Sequence, residues 1–146
     1  MALQPRGIRN HNPGNIRWQD EWQGLVKQSD RTDRSFCQFT EPKYGIRALA
    51  KVILNYTKRK GMPNVGNERI DTVREIISRW APPNENDTEL YIQQVAKAVG
   101  VAPNDPISVY DRDVLTKLVK AIIKHENGQQ PYTDELISKA ISLAIA

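Results

Sequence analysis

The sequence places the carboxyl group of Glu126 in line with a predicted hydrophobic core. Leu115, Leu118 or Val119, and Ile122 recur at helical spacing, and Glu126 follows Ile122 by four residues on the same stripe. Burial and the negative end of the helix dipole both favour the protonated form of a carboxyl group, which is the form a glycosidase acid needs. The same spacing is also compatible with a frayed helix end that turns Glu126 to water.

The other reactive side chains show no spacing typical of a metal or nucleophile site. The two histidines, His11 and His125, and the single cysteine, Cys37, form no CxxC or HExxH pattern, so we expect no metal and no cofactor. His125 lies in the last predicted helical turn, where a histidine commonly interacts with the helix dipole. The sequence contains neither G-x-S-x-G nor a phosphate-cradling glycine-rich loop.

Aromatic and amide side chains supply groups that hold sugar rings or bases. Tryptophan and tyrosine rings near a cleft would stack on a ligand, although most are expected in the core. Asparagines at turns and helix ends ordinarily act as caps, whereas in a cleft they would bind N-acetyl and hydroxyl groups. The residues concerned are Trp18, Trp22, Trp80, Tyr44, Tyr56, Tyr91, Tyr110, Tyr132, Asn10, Asn12, Asn15, Asn84, Asn86 and Asn127.

Length and composition predict a folded single domain over residues 1–146. The chain has 146 residues, 39% of them hydrophobic and 26% charged, with nine Pro and eight Gly, which is ordinary for a globular protein. One cysteine excludes an intramolecular disulfide, and neither a signal peptide nor a membrane span is expected. Residues 1–60 carry twelve Lys and Arg against five acids, and the remainder nine against twelve, so the net charge of +4 comes from the first part.

The elements that must position these groups are mostly helices. Asn-Pro-Gly-Asn at residues 12–15 predicts a turn, and residues 16–18, 22–26 and 35–39 are predicted strands. Predicted helices run from Pro42 to near Gly61, from the capping box at residues 72–75 to Trp80, from Asn86 or Asp87 to Gly100, from about residue 111 to 126, and from 133 to the end. We therefore expect an α+β, mainly α, fold with about five helices and a small N-terminal β region.

Several motifs together resemble a bacteriophage family of peptidoglycan-degrading proteins, named endolysins or virion-associated murein hydrolases, within the lysozyme-like superfamily. They are RGIRNHNPGNIRW at residues 6–18, WQG at 22–24, FCQF at 36–39, GIRA at 45–48, WAPPNENDTELY at 80–91, HENG at 125–128 and PY at 131–132. The resemblance covers nearly the whole chain. It implies a lysozyme-like fold and a muramidase that cleaves the bond between N-acetylmuramic acid and N-acetylglucosamine.

A more distant resemblance to glucosaminidases and lytic transglycosylases of that superfamily implies residue roles. Their catalytic Glu ends a helix and precedes an Asn-rich β segment and a later Tyr, whereas here the β segment comes first and Glu126 last, as in a circular permutation. Glu126 would then protonate the glycosidic oxygen and Tyr91 would support the intermediate. The implied substrate-binding residues are Asn12, Asn15, Trp18, Trp80, Glu85, Thr88 and Asn127. Trp80 sealing a helix, and Asn12 and Asn15 shaping a turn, are the structural alternatives.

The second carboxylate of a lysozyme is not assigned by the sequence. Asp20, Glu21, Asp30 and Asp33 all lie in or beside the predicted β region. Without a second carboxylate, Glu126 would act as acid and then base in lytic transglycosylation, giving 1,6-anhydro products. Glu85 is the candidate acid if the permuted order is wrong.

A noncatalytic virion or wall-binding protein is the alternative to a bacteriolytic enzyme of cell lysis. The basic first sixty residues also suit a nucleic-acid-binding module, but no recognised binding motif accompanies them, so we expect no nucleic-acid partner. The expected partners are peptidoglycan and an anionic envelope surface, and the expected state is a monomer. The protein would be made in the host cytoplasm and reach the wall in the periplasm by holin release or inside a virion.

Overall fold

The computed structural model describes residues 4–57, 70–81 and 87–146. Within these ranges the chain forms six α-helices: α1 (Arg6–Arg9), α2 (Pro42–Tyr56), α3 (Val73–Trp80), α4 (Thr88–Val99), α5 (Arg112–Asn127) and α6 (Asp134–Ile145). One 3-10 turn spans Gln28–Asp30. The protein is mainly α-helical, as predicted. None of the described helices combines the length and apolar character needed to cross a lipid bilayer.

Short polar side chains begin three of these helices. Thr72 Oγ1 accepts a hydrogen bond from the Glu75 backbone N–H at 3.1 Å, which starts α3 where the capping box predicts it. Asp87 and Thr133 cap α4 and α6 in the same way, each accepting from the N–H three residues further on. Gly100 ends α4 with φ +89°, a left-handed conformation that glycine adopts without strain.

Residues 58–69 and 82–86 lie outside the described ranges. The first long helix was predicted to end near Gly61, which falls in the first of these gaps. Asn86, one of the two residues predicted to cap the third helix, falls in the second gap. Asp87, the other predicted cap, begins α4.

The described chain contains two compact units. The first consists of Met1–Lys51 and Ile122–Ala146, and the second of Val52–Ala121. In the first unit, fully buried side chains include Ile46, Leu49, Ile122, Ile123, Ile137 and Ile141. In the second, α3 packs against α4, and fully buried side chains include Ile70, Ile76, Ile77, Tyr91, Leu115 and Leu118. A single domain over residues 1–146 stays a prediction.

The predicted N-terminal strands are reduced to two isolated antiparallel bridges. Arg17 pairs with Phe36 and Leu25 with Phe39, inside the three predicted strand segments, but no ladder extends from either pair in the described residues. Side chains form hydrogen bonds with backbone groups that would pair with another strand in a ladder. Asn12 accepts from the Ile16 N–H at 3.0 Å and donates to the Ile16 and Cys37 carbonyl oxygens at 2.9 and 3.0 Å. The short strands predicted for these segments are therefore present only as single bridges in the described residues.

Helix α1 was not predicted, because a single turn produces no periodic pattern. A Schellman-type end closes it: the His11 N–H donates to the Ile8 carbonyl oxygen at 3.1 Å, and the Asn12 N–H donates to the Gly7 carbonyl oxygen at 2.8 Å. His11 occupies the left-handed position of this motif, with φ +53°. Glycine is the usual residue there, so the sequence carried no ordinary helix-stop signal. This turn delivers the chain into the Asn-Pro-Gly-Asn segment.

Candidate functional site

Glu126 lies in the last turn of α5, and its side chain is half-buried in the first unit. Asn15 Nδ2 donates a hydrogen bond to Glu126 Oε1 over 3.4 Å. Glu126 thus lies at the helix end, partly withdrawn from water. Asn15 and Glu126 are 111 positions apart in the sequence.

The Asn-Pro-Gly-Asn turn aims Asn15 at the end of α5. The Asn15 N–H donates to the Asn12 carbonyl oxygen at 2.9 Å, which closes the turn. Asn15 has φ +51°, in the left-handed region that asparagine tolerates better than most residues. The Asn12 side chain is fully buried, and both of its N–H groups donate to backbone carbonyl oxygens. Asn12 thus shapes the turn, the structural alternative to the predicted substrate contact.

Asn127 ties α5 to the same turn. Its Nδ2 donates to the Pro13 carbonyl oxygen at 2.8 Å and to the Ile123 carbonyl oxygen at 2.9 Å. The side chain is buried, and both of its N–H groups donate to backbone oxygens of the chain. The role of Asn127 in substrate binding stays a prediction.

Gly7 makes room for these two amides. A Cβ atom at Gly7 would lie 2.6 Å from Asn127 Oδ1 and 3.0 Å from Asn15 Oδ1, closer than side-chain packing allows. Both amide oxygens are buried without a hydrogen-bond partner among the described residues. Glycine is the residue type that permits this approach, since its Cα presents only hydrogen atoms to them. The motif at residues 6–18 contains Gly7, but its spacing alone gave no sign of this role.

Trp18 is half-buried, and both its indole N–H and the face of its ring make contacts within the chain. Its Nε1 donates to the Asp33 carbonyl oxygen at 2.8 Å. The Arg31 guanidinium lies 4.0 Å from the centre of the Trp18 ring, where a cation is attracted to the aromatic face. Stacking of a sugar on that face would require Arg31 to move.

Asp33 is the centre of an internal network. Arg6 donates to both of its carboxylate oxygens at 2.7 Å, and Asn10 donates at 2.9 Å. The Ser35 and Phe36 N–H groups donate to the same carboxylate at 2.9 and 3.0 Å. The hydrogen bond from Arg6 contributes most to holding the pKa of Asp33 well below its ordinary value, despite partial burial. The sequence marks Asp33 as a candidate second carboxylate but gives no sign of these partners.

The other three candidates for the second carboxylate are exposed. Asp20, Glu21 and Asp30 each lie on the surface of the N-terminal loops. Their exposure gives them no environment that differs from ordinary surface carboxylates. Of the four, Asp33 alone is withdrawn from water, and the network described above already occupies it.

The remaining predicted site residues belong to the second unit, except Glu85, which lies outside the described residues. Thr88 Oγ1 donates to the Ala81 carbonyl oxygen at 2.8 Å and is buried. Tyr91 is fully buried in α4, and Trp80 is half-buried at the end of α3. Thr88 therefore anchors the start of α4, a role that its position at the first helical residue explains.

The described residues contain no group of three or more His, Cys, Asp or Glu side chains able to hold a metal ion. At Glu126 the structure shows a carboxyl group that accepts a hydrogen bond from the Asn15 amide. A carboxyl group in such a position can give or take a proton.

Fold and site together define a mainly helical protein with a half-buried carboxyl group held at a helix end by an asparagine amide. Protein P5 of Pseudoalteromonas phage PM2 is 35% identical to the chain over 138 residues, which cover 92% of this chain and 78% of that protein. The chain belongs to the family of Protein P5. No protein-family model matches the sequence.

Proposed function

We propose that this protein cleaves the glycan strand of bacterial peptidoglycan, with a lysozyme-like fold and Glu126 as the general acid. The observation that carries the proposal is the half-buried Glu126 at the end of α5 with Asn15 Nδ2 donating to its carboxyl oxygen. This is the position that the motif resemblance assigns to the acid. The relative Protein P5 comes from a phage, and the proposed activity would act on the host cell wall in the periplasm.

In the proposed reaction, Glu126 gives its proton to the glycosidic oxygen as the bond from that oxygen to the sugar C1 breaks. The Asn15 amide then donates to the carboxylate that forms, so this hydrogen bond strengthens as the reaction proceeds. Water adds to C1, and one of its protons returns to Glu126. The net reaction is hydrolysis, with the carboxyl group regenerated.

Lytic transglycosylation is the second candidate reaction. The hydrogen bonds that already occupy the Asp33 carboxylate favour it. The Arg6, Asn10 and backbone hydrogen bonds of Asp33 leave the three exposed acids as the remaining candidates for a second carboxylate. A transglycosylase needs one carboxyl group, which first protonates the leaving oxygen and then takes the proton of the muramyl 6-hydroxyl. That hydroxyl oxygen attacks C1, which forms the 1,6-anhydro ring and leaves the carboxyl group of Glu126 protonated again.

Mass spectrometry of the products released from purified sacculi tests the proposal. We expect the wild type to release muropeptides and Glu126→Gln to be slower by about 100-fold or more, because the amide cannot donate the proton. Reducing ends identify a hydrolase, and their sugar distinguishes a muramidase from a glucosaminidase. Products with 1,6-anhydro ends identify a transglycosylase.

Glu135→Gln is the matched control, because Glu135 is an exposed residue of α6 in the same unit. It should release products at the wild-type rate, and urea unfolding should give similar midpoints for all three proteins. Full activity of Glu126→Gln would reject Glu126 as the acid and make Glu85 the next variant. Absence of products from the wild type would leave a noncatalytic virion or wall-binding protein as the function.

A further inference from the structure

The segment Gly45–Ala48 contains one residue that neither the core nor the proposed reaction uses. Gly45 lies against the His11 carbonyl oxygen, where a Cβ atom would collide with it. Ile46 and Ala48 are fully buried. Arg47, between them, is half-buried on α2. A guanidinium group at this depth needs a partner of its own.

Among the described residues, the Nε atom of Arg47 has no such partner. Arg47 Nε is buried and has no hydrogen-bond acceptor among the described residues. The ion pairs of the described chain involve Arg6, Lys43, Arg74 and Lys117, not Arg47. Native proteins pair nearly all of their buried polar groups, so an unpaired buried donor on a cation points to an anion that binds from outside.

Two lysines extend the positive charge along α2. Lys43 and Lys51 lie four residues before and after Arg47, so the three side chains share one face at intervals of about 6 Å. All three are half-buried. Helix α2 contains no acidic residue, and the carboxylate paired with Lys43 is that of the largely exposed Glu41, at 3.8 Å. We call Lys43, Arg47 and Lys51 the α2 cationic stripe.

We propose that the α2 cationic stripe binds the carboxylates of the acidic stem peptides of peptidoglycan, with Arg47 as its central residue. This inference rests on the proposed function, which makes peptidoglycan the substrate. A guanidinium group presents two parallel N–H donors that match a carboxylate, and a row of cations suits a polymer that repeats its negative charges. The stripe therefore selects glycan strands that still carry their peptides over bare strands.

Co-sedimentation with two forms of the same sacculi tests the stripe without reading catalysis. One form is intact, and the other has been stripped of stem peptides by an amidase. We expect the wild type to bind intact sacculi about tenfold more tightly than stripped glycan. Arg47→Gln should lose this preference, Arg47→Lys should keep part of it, and Lys51→Gln should reduce it less than Arg47→Gln.

Arg34→Gln is the matched control, because it removes one exposed arginine of the same unit and leaves the stripe intact. It should keep the tenfold preference. Equal binding of the wild type to both forms would overturn the inference, and so would an equal loss of both affinities in Arg47→Gln or an equal effect of Arg34→Gln. If Arg47→Gln does not fold, Arg47→Lys and Lys51→Gln compared with Arg34→Gln carry the test, and an unchanged preference in both stripe variants would overturn the inference.

Failure of the enzymatic proposal is a separate outcome of these experiments. A protein that releases no products from sacculi but still prefers the intact form by way of Arg47 supports the stripe and rejects catalysis. A protein that cleaves sacculi through Glu126 and binds both forms equally rejects the stripe and supports catalysis.

Discussion

At the scale of single residues, Asn15 combines an unusual backbone conformation with the contact to Glu126. Its φ of +51° lies in the left-handed region, and its amide donates to the carboxyl group. Left-handed residues other than glycine are uncommon, and those that occur cluster at functional sites. The backbone and the side chain of Asn15 can be separated by substitution.

Asn15→Gly and Asn15→Ala should differ in stability but agree in activity. Both lose the amide donor, so release of products from sacculi should fall by about tenfold or more, the value of a hydrogen bond to a charged group. Alanine must also adopt the left-handed conformation, which costs about 1 kcal/mol more than for glycine. Urea unfolding of the two variants measures this difference. Equal stabilities would contradict a left-handed Asn15, and unchanged activity would contradict its role beside Glu126.

At the scale of secondary structure, α3 begins with a capping box whose acid is buried. Thr72 Oγ1 donates to Glu75 Oε1 at 3.0 Å, and the Asp71 N–H donates to the same oxygen at 3.3 Å. Glu75 is fully buried, and its Oε2 has no partner among the described residues. Burial is the largest cause of a raised pKa at Glu75, and the neighbouring Asp71 adds to it.

Glu75→Gln should therefore gain stability relative to the wild type as the pH rises. A carboxyl group with a raised pKa in the folded state stabilises the fold fully below its unfolded value, about 4.5, and loses that contribution as the pH rises through the folded value. Glutamine does not ionise, so the comparison should favour Glu75→Gln more at pH 7 than at pH 4. Urea unfolding at both pH values measures the change.

Glu89→Gln provides a control of opposite sign. Hydrogen bonds from Arg74 and then Gln93 lower the pKa of Glu89 to about 2. Its contribution to stability is therefore present above the unfolded value of 4.5 and is lost as the pH falls towards 2. Glu89→Gln should be the less stable protein at pH 7, and the difference should shrink below pH 4. Parallel pH trends for the two variants would contradict the assignment whose predicted sign is not observed.

At the scale of the whole molecule, the helices were predictable and the contacts around Glu126 were only partly so. Caps and periodicity are local, and they located α3, α4, α5 and α6 closely. The apolar stripe left open whether Glu126 turns to the core or to water, and the structure has it half-buried in the last turn of α5. The N-terminal loops were mispredicted as strands, because Asn12 and Gln38 bond backbone groups with their side chains.

Contacts between the two ends of the chain leave no local signal. Asn127 reaches Pro13 across 114 positions, and no spacing rule relates such residues. Both terminal segments belong to the first unit. The permutation itself stays a prediction.

Cys37 makes it possible to measure local opening of the N-terminal loops in the native protein. The thiol is fully buried, its Sγ contacts the Arg17 carbonyl oxygen at 3.4 Å, and burial raises its pKa to about 11. A thiol reagent can therefore modify the folded protein only during an opening of the surrounding segment. Because Cys37 is the only cysteine, each modified molecule records one such opening. The rate of modification in native buffer thus gives the free energy of local opening around residues 16–39, with no engineered cysteine required.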